Sequence, residues 1–157
     1  MFYREDLPRL ISFLLKLGHA GGVAQDAAQQ AMISALERWD GIQSPAAWVR
    51  KVATRLAVAA TEREQERIRR HVRAGHEQPQ QAPDPYAELE ARMELDWLLR
   101  LLSPRQREVM AWTFDGFSPS EIAEELKIPT DTVRSNLRHA RTHLKSIYDR
   151  RKGELRG

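Results

Sequence analysis

The stretch that decides the fold of the second half of the chain is residues 118–143, SPSEIAEELKIPTDTVRSNLRHARTH. Ser118 and Glu121 are spaced as a capping box, in which the serine hydroxyl accepts from the Glu121 amide and the carboxylate reaches back. The small Ala123 lets a second helix cross close by, and residues 127–129, KIP, make a short turn. Two short helices around such a turn predict a helix-turn-helix.

The second helix of this motif is predicted to begin with Thr130 as its cap and to run to about His143. Its apolar residues recur at alternating steps of four and three: Val133, Leu137, Ala140, Leu144 and Ile147. The other faces carry several cations. A buried seam opposite a cationic face is what a helix needs to lie in the major groove of duplex DNA.

Two arginines in this helix have the chemistry to read bases. Arg134 and Arg138 can each offer a bidentate fork to guanine, whereas Arg141 lies further along and is expected to meet phosphate. The predicted DNA-contacting set is Thr130, Thr132, Arg134, Ser135, Arg138, His139 and Arg141. An ordinary amphipathic helix with solvated charges is the alternative, which the cap, the small residue and the short turn make the weaker one.

Composition excludes several classes of protein. The 157 residues contain 25 Lys and Arg against 22 Asp and Glu, a mildly basic balance that does not by itself indicate a nucleic-acid partner. There is no cysteine, which excludes disulfides, thiolate metal sites and cysteine nucleophiles. No apolar run approaches the roughly 20 residues that span a bilayer. A cytoplasmic protein without membrane insertion is expected.

Helical periodicity runs along almost the whole chain, so the predicted fold is all-α, with two small helical bundles joined by a flexible linker. The first domain is predicted at residues 1–70 and the second at 87–150. The segment between them, 71–86, is rich in Gly, Pro and Gln and poor in apolar residues, which is typical of a linker.

The first half contains two further apolar stripes. The stripe of the second helix comprises Ala24, Ala27, Ala28, Ala31, Met32, Ala35, Leu36 and Trp39. A third helix is predicted to start at Pro45, to bury Trp48, Val52 and Leu56, and to continue into a charged tail. Trp39 and Trp48 are therefore predicted to be core residues rather than stacking platforms. The opposite face of the third helix is predicted to be basic and consists of Arg50, Lys51, Thr54 and Arg55.

The second half resembles region 4 of bacterial RNA polymerase sigma factors. The residues that carry this resemblance are 102–109 (LSPRQREV), 115–118 (DGFS), 121–123 (EIA), 132–135 (TVRS) and 140–141 (AR). The first half is similar, more loosely, to region 2 of the same proteins, through 26–32 (DAAQQAM) and 47–57 (AWVRKVATRLA). The most similar kind is the extracytoplasmic-function group.

The resemblance implies that region 4 reads the −35 promoter element as duplex DNA. It also implies that region 2 binds core RNA polymerase and reads the −10 element. The residues expected at the polymerase are Asp26, Gln29, Gln30, Ile33 and Glu37, among which the apolar Ile33 stands on a polar face. Those expected at the −10 element are Gln43, Ser44, Arg50, Lys51, Thr54 and Arg55. Thr54 stands where the family usually has Asn.

Transcription initiation with core polymerase is thus the leading hypothesis, with promoter DNA and an anti-sigma protein as further partners implied by the resemblance. Two alternatives remain open: a polymerase-independent helix-turn-helix regulator with a sigma-like N-terminal domain, and a sigma-like interaction module. No nucleophile and base are arranged for catalysis, so an enzyme is not expected, and neither is a cofactor. His139 and His143 have the spacing of a metal pair, but no third ligand is evident, so no metal is expected.

Overall fold

The computed structural model describes residues 1–77 and 94–157, which fall into two compact helical units. In the first, α1 spans Phe2–Lys16, α2 spans Gly21–Glu37, a short 3-10 helix spans Trp39–Gly41, and α3 spans Pro45–Arg73. In the second, α4 spans Glu94–Arg100, α5 Pro104–Phe114, α6 Pro119–Leu126 and α7 Thr130–Arg156. These described residues contain no strand, which confirms the all-α prediction.

The predicted domain limits compare with these helices as follows. The first domain was expected to end at residue 70, but α3 continues without a break to Arg73. The last helix was expected to end near His143 and the second domain at 150, but α7 continues to Arg156. Most of the predicted linker, from residue 78 to 86, lies outside the described residues, as does the predicted start of the second domain at 87.

The core of the first unit is built on alanine. The α2 helix buries Ala24, Ala27, Ala28, Ala31, Met32 and Ala35, and α3 faces it with Ala47, Val49, Ala53 and Ala57. Side chains this small allow two helix axes to approach closely, so that the backbones themselves supply much of the packing. Larger side chains of α1, Leu10, Phe13 and Leu14, complete this core.

The predicted buried face of α3 is therefore wrong. Trp48, Val52 and Leu56 were expected in the core but are only half-buried, because the alanine face beside them makes the contact with α2. Periodicity alone favoured burial of the larger apolar residues. The alanines are buried instead because their small side chains leave room for the backbone of the neighbouring helix.

In the second unit, an arginine side chain caps the end of α4. The guanidinium group of Arg107, on α5, donates to the carbonyl oxygens of Leu99, Arg100 and Leu102 at 3.0 to 3.1 Å. The carbonyls of Leu99 and Arg100 belong to the last two residues of α4, where backbone acceptors lack partners within the helix, and that of Leu102 belongs to the turn that follows. One arginine thus caps α4 and fixes the turn to α5. Ser103 caps the start of α5, with its hydroxyl accepting from the Gln106 amide at 3.4 Å.

Candidate nucleic-acid interface

The turn between α6 and α7 has the geometry of a helix-turn-helix. At the start of α6 the Ser118 hydroxyl accepts from the Glu121 amide at 3.2 Å, which confirms the serine half of the predicted capping box. The helix ends at Lys127, which adopts a left-handed conformation with φ of 55°. The Ile128 amide then closes the end by donating to the carbonyl of Ala123 at 3.1 Å. The turn therefore holds α7 firmly against α6.

The seam predicted on α7 is the face that packs. Val133, Leu137 and Ala140 are buried, and Leu144 and Ile147, further along, are half-buried. The predicted cap is wrong by one residue, because Thr130 is already the first residue of the helix and Pro129 occupies the cap position without a side-chain bond. The backbone carbonyl of Pro129 instead accepts from the amides of Thr132 and Val133.

The side chains predicted to contact DNA lie away from this seam. Thr132, Arg134, Arg138, His139 and Arg141 are exposed, while Thr130 and Ser135 are half-buried. The structure therefore brings this set together on the outside of one helix. The role of this set in DNA binding stays a prediction.

Two local contacts affect what this surface presents. The Arg134 guanidinium lies 3.7 Å from the Asp131 carboxylate, a long and solvent-exposed ion pair that a nucleic acid can replace at little cost. The Asn136 side chain donates to the backbone carbonyl of Thr132 at 2.9 Å, so that its amide is turned toward its own helix. Arg134 and Arg138 are therefore exposed side chains of this surface whose planar guanidinium groups can donate to a base.

In the first unit the predicted basic face loses one member. Arg50 was expected to be exposed, but its side chain is 2% exposed and its guanidinium binds the Asp6 carboxylate through two bonds of 2.7 and 2.9 Å. A third bond of 2.8 Å reaches the carbonyl of Ala46. Arg50 is therefore a structural residue that ties α1 to α3, and its assignment to the −10 surface is wrong.

Sequence reasoning missed Asp6, which is the partner of that arginine. The signal was present, since Asp6 stands four residues before Leu10 and seven before Phe13, on the apolar side of α1. An acid on a buried stripe requires a buried cation, and the helix that packs against α1 supplies it.

The remaining −10 residues lie at the start of α3 and in the loop before it. Gln43, Ser44 and Arg55 are exposed, and Lys51 and Thr54 are half-buried. Ser44 precedes α3 as predicted, yet its hydroxyl makes no capping bond. The Thr54 hydroxyl donates to the backbone carbonyl of Arg50 at 2.7 Å, which leaves its methyl group and the two lone pairs of its oxygen to meet a ligand.

Trp39, which was predicted to be a core residue, is 41% exposed. It does not continue the α2 stripe because α2 ends at Glu37 and Trp39 opens the 3-10 helix that leads into the loop. Its ring lies against that of Phe2 with the centroids 5.3 Å apart. An exposed indole held by a second aromatic ring, beside a loop, has the form of a stacking platform.

The predicted polymerase-facing side of α2 is solvent-exposed throughout. Asp26, Gln29, Gln30, Ile33 and Glu37 are all exposed. Leu36 was expected on the buried stripe but is 58% exposed, and it lies one turn beyond Ile33, which is 55% exposed. Two large aliphatic side chains thus stand together on an otherwise polar helix face, which is a stronger sign of a partner than a single one.

Within residues 1–77 and 94–157, no three His, Asp or Glu side chains are grouped to hold a metal ion. In the same segments, no helix has both the length and the apolar character that crossing a membrane demands.

Comparison with known proteins adds the family. Residues 2–73 match the model of sigma-70 region 2, and residues 92–144 match that of sigma-70 region 4. Comparison with curated protein sequences found no match.

Solved structures of low sequence identity share the fold. The sigma factor RpoE from Bartonella quintana, in complex with the anti-sigma factor NepR, has 21% identity and a TM-score of 0.71 over 94% of this chain and 96% of that one. CnrH, in complex with the cytosolic domain of CnrY, has 20% identity and a TM-score of 0.64 over 93% of this chain and 84% of that one. With regions 2 and 4 matched in order along its length, the chain belongs to the sigma-70 family and is a sigma factor of the extracytoplasmic-function type.

Proposed function

We propose that this protein directs core RNA polymerase to specific promoters, with its second unit reading the −35 element as duplex and its first unit binding polymerase and the −10 element. The observation that carries the proposal is α7, whose buried seam packs against α5 and α6 while Arg134 and Arg138 stand exposed on its outer side. This division assigns promoter contacts to both domains, the first reaching at least to Arg73 and the second starting near residue 87.

The −35 step is proposed to depend on bidentate contacts to guanine. Replacing Arg134 or Arg138 with Ala should weaken binding to the preferred duplex by about 1–3 kcal/mol and relax the preference at one base pair. Arg150→Ala is the matched control, since it removes an exposed arginine from the same helix beyond the base-reading half. Selection from a randomised duplex library measures both effects. Equal losses on every sequence would show that the two arginines meet only phosphate.

The −10 step is proposed to use Trp39 as a platform for an unpaired base, with Lys51 and Arg55 holding the strand by its phosphates. Stacking of a base on an aromatic side chain contributes about 1–3 kcal/mol. Trp39→Ala should therefore reduce promoter opening, measured by permanganate reactivity of thymines in the holoenzyme complex, while leaving duplex binding by the second unit unchanged. Trp39→Phe keeps a ring and should retain most of the opening. Normal opening by Trp39→Ala would refute this role.

Polymerase binding is proposed to rest on the exposed aliphatic pair of α2, Ile33 and Leu36. A glutamate at either position would place a charge where the partner buries an apolar surface. We expect Ile33→Glu and Leu36→Glu each to lower the affinity for core polymerase at least tenfold. Leu155→Glu, the same kind of change at an exposed aliphatic residue of the second unit, serves as the control. Retained affinity in both α2 variants would place the polymerase contact elsewhere.

An anti-sigma protein is proposed as a further partner. The two solved structures described above are complexes, one of RpoE with the anti-sigma factor NepR and one of CnrH with the cytosolic domain of CnrY. The exposed pair Ile33 and Leu36 gives such a protein an apolar surface to cover, in competition with polymerase.

A further inference from the structure

The second half of α3 extends beyond the core of its unit. This helix has 29 residues, about 43 Å at 1.5 Å per residue, but its buried residues all lie between Ala47 and Ala57. From Val58 to Arg73 no side chain is buried. We call these residues, 58–73, the α3 extension.

An apolar stripe runs along this extension at the spacing of a coiled coil. Val58, Thr61, Gln65, Ile68 and Val72 follow one another at alternating steps of three and four, which places them on one face of the helix. Val58 and Val72 are 42% and 49% exposed, and Ile68 is half-buried. A stripe that is half apolar and uncovered by the core of its own unit can pack against another helix.

The charges beside the stripe differ between the two ends of the extension. The first part carries three acids, Glu62, Glu64 and Glu66, against one cation, Arg63. The last part carries four cations and no acid: Arg67, Arg69, Arg70 and Arg73. Ion pairs within the helix do not neutralise the arginines of the last part. Arg69, Arg70 and Arg73 all approach Glu66, at 3.0, 3.3 and 3.5 Å, so three guanidinium groups share one carboxylate.

The hydrogen bonds from Arg69 and then Arg70 lower the pKa of Glu66, so this acid stays ionised near neutral pH. One carboxylate cannot neutralise three cations, and the end of the extension keeps a surplus of positive charge. Glu62, an exposed acid, lies at the opposite end. A helix that is acidic at one end and basic at the other is complementary to an inverted copy of itself.

We propose that two copies of this protein associate through antiparallel pairing of their α3 extensions. In this arrangement Ile68 of one copy lies opposite Gln65 of the second copy, and Val72 lies opposite Thr61. The same register brings Glu62 of each copy to Arg69 of the other, which forms two symmetric ion pairs flanking the stripe. A parallel pair would instead set acids against acids and arginines against arginines.

The pairing is expected to be weak. Two apolar side chains per copy, flanked by exposed ion pairs, cover far less than the roughly 1,200 Å² at the low end of stable interfaces. We expect a dissociation constant on the order of 100 µM, within reach of sedimentation velocity on the full chain at concentrations of 10 to 500 µM, a range set around that value. Added salt should weaken the association.

Because the natural chain has no cysteine, single thiols report the geometry without background. Thr61→Cys chains mixed with Val72→Cys chains and treated with a short bismaleimide should give mainly mixed dimers, with few dimers of either kind alone. Arg63→Cys, on the opposite side of the same helix, is the control and should not cross-link. Cross-linking no greater than this control, or a majority of like-with-like dimers, would overturn antiparallel pairing.

A charge exchange tests the ion pairs separately. Glu62→Arg and Arg69→Glu should each raise the dissociation constant about fivefold, and the double variant should restore it because the pairs form again with reversed sign. Circular dichroism of each variant checks that the helix content is unchanged. A double variant as weak as the single ones would refute the proposed register, and a natural chain that stays monomeric at 500 µM would refute the association.

Discussion

The buried ion pair between Asp6 and Arg50 offers the sharpest test of how the first unit is held together. Replacing Arg50 with Met removes the cation and keeps an unbranched side chain of similar length. The Asp6 carboxylate, whose side chain is 10% exposed, then loses two charge-assisted bonds of 2.7 and 2.9 Å and stays in the interior without a counter-charge. Removing one partner of such a pair typically costs about 3–5 kcal/mol.

At about 1.4 kcal/mol for each factor of ten, this loss raises the opening equilibrium of the first unit by roughly 100-fold to a few thousand-fold. Hydrogen–deuterium exchange resolved by peptide is the appropriate assay because it reports the first unit without interference from the second. Amides of α1 and α3 should exchange faster by that factor in Arg50→Met. Amides of α5, in the second unit, should be unaffected.

Arg55→Met is the matched control, since it removes an exposed arginine from the same helix and should change stability by less than about 0.5 kcal/mol. The double variant Asp6→Leu with Arg50→Met replaces the pair by apolar side chains and should recover much of the loss. If Arg50→Met opened no more easily than Arg55→Met, the ion pair would not support the fold, and the reassignment of Arg50 from DNA contact to structure would be mistaken.

Three further outcomes are expected in the second unit, each measured by urea unfolding. Arg107→Ala should lose about 2–3 kcal/mol because three carbonyls, two at the end of α4 and one in the turn after it, lose a charged donor, and Arg107→Lys should recover only part of it. Ser118→Ala should lose about 1 kcal/mol with its capping bond, whereas Ser146→Ala, at an exposed position of α7, should lose less. Asp96→Asn should be more stable than the natural chain at pH 7, since both buried carboxylate oxygens lack a hydrogen-bond partner within the described residues.

The pH dependence of the last variant follows from the sign of the shift. Burial raises the pKa of Asp96, so the folded state holds the proton more tightly than the unfolded state does. Stability of the natural chain therefore falls as pH rises from the ordinary value of 3.8 toward the raised one. The advantage of Asp96→Asn should disappear below that ordinary value, where the carboxyl group is protonated in both states. An advantage independent of pH would contradict the assigned cause.

Much of the second unit was predictable because its signals are local. The Ser118 cap, the short turn and the seam of Val133, Leu137 and Ala140 are each set by residues a few positions apart, and all are confirmed. The errors there concern the first residue of α7 and the length of this helix. Both depend on where a helix begins and ends, which the period of its apolar residues does not determine.

The first unit was harder to predict because its decisive contacts are distant in sequence. Asp6 and Arg50 are 44 residues apart. Arg50 shares the helix face of Ala47, Ala53 and Ala57, but which face of α3 is buried depends on the approach of α2. The choice of Ala53 over Trp48 as the buried residue likewise depends on how closely α2 approaches, which periodicity does not encode. Trp39 was misassigned because α2 was extended past its true end at Glu37.

The most direct test of the central claim is a transcription reaction with core RNA polymerase, the full chain and a library of promoters that vary at both elements. The account predicts that addition of the chain yields transcripts from a subset of the library sharing one −35 and one −10 motif. It also predicts that Arg138→Ala relaxes the sequence preference at the −35 element alone. Trp39→Ala should lower the amount of transcript without changing either promoter motif. A chain that protects duplex DNA but yields no transcripts and no opened bases would contradict the account and identify a regulator that acts without polymerase.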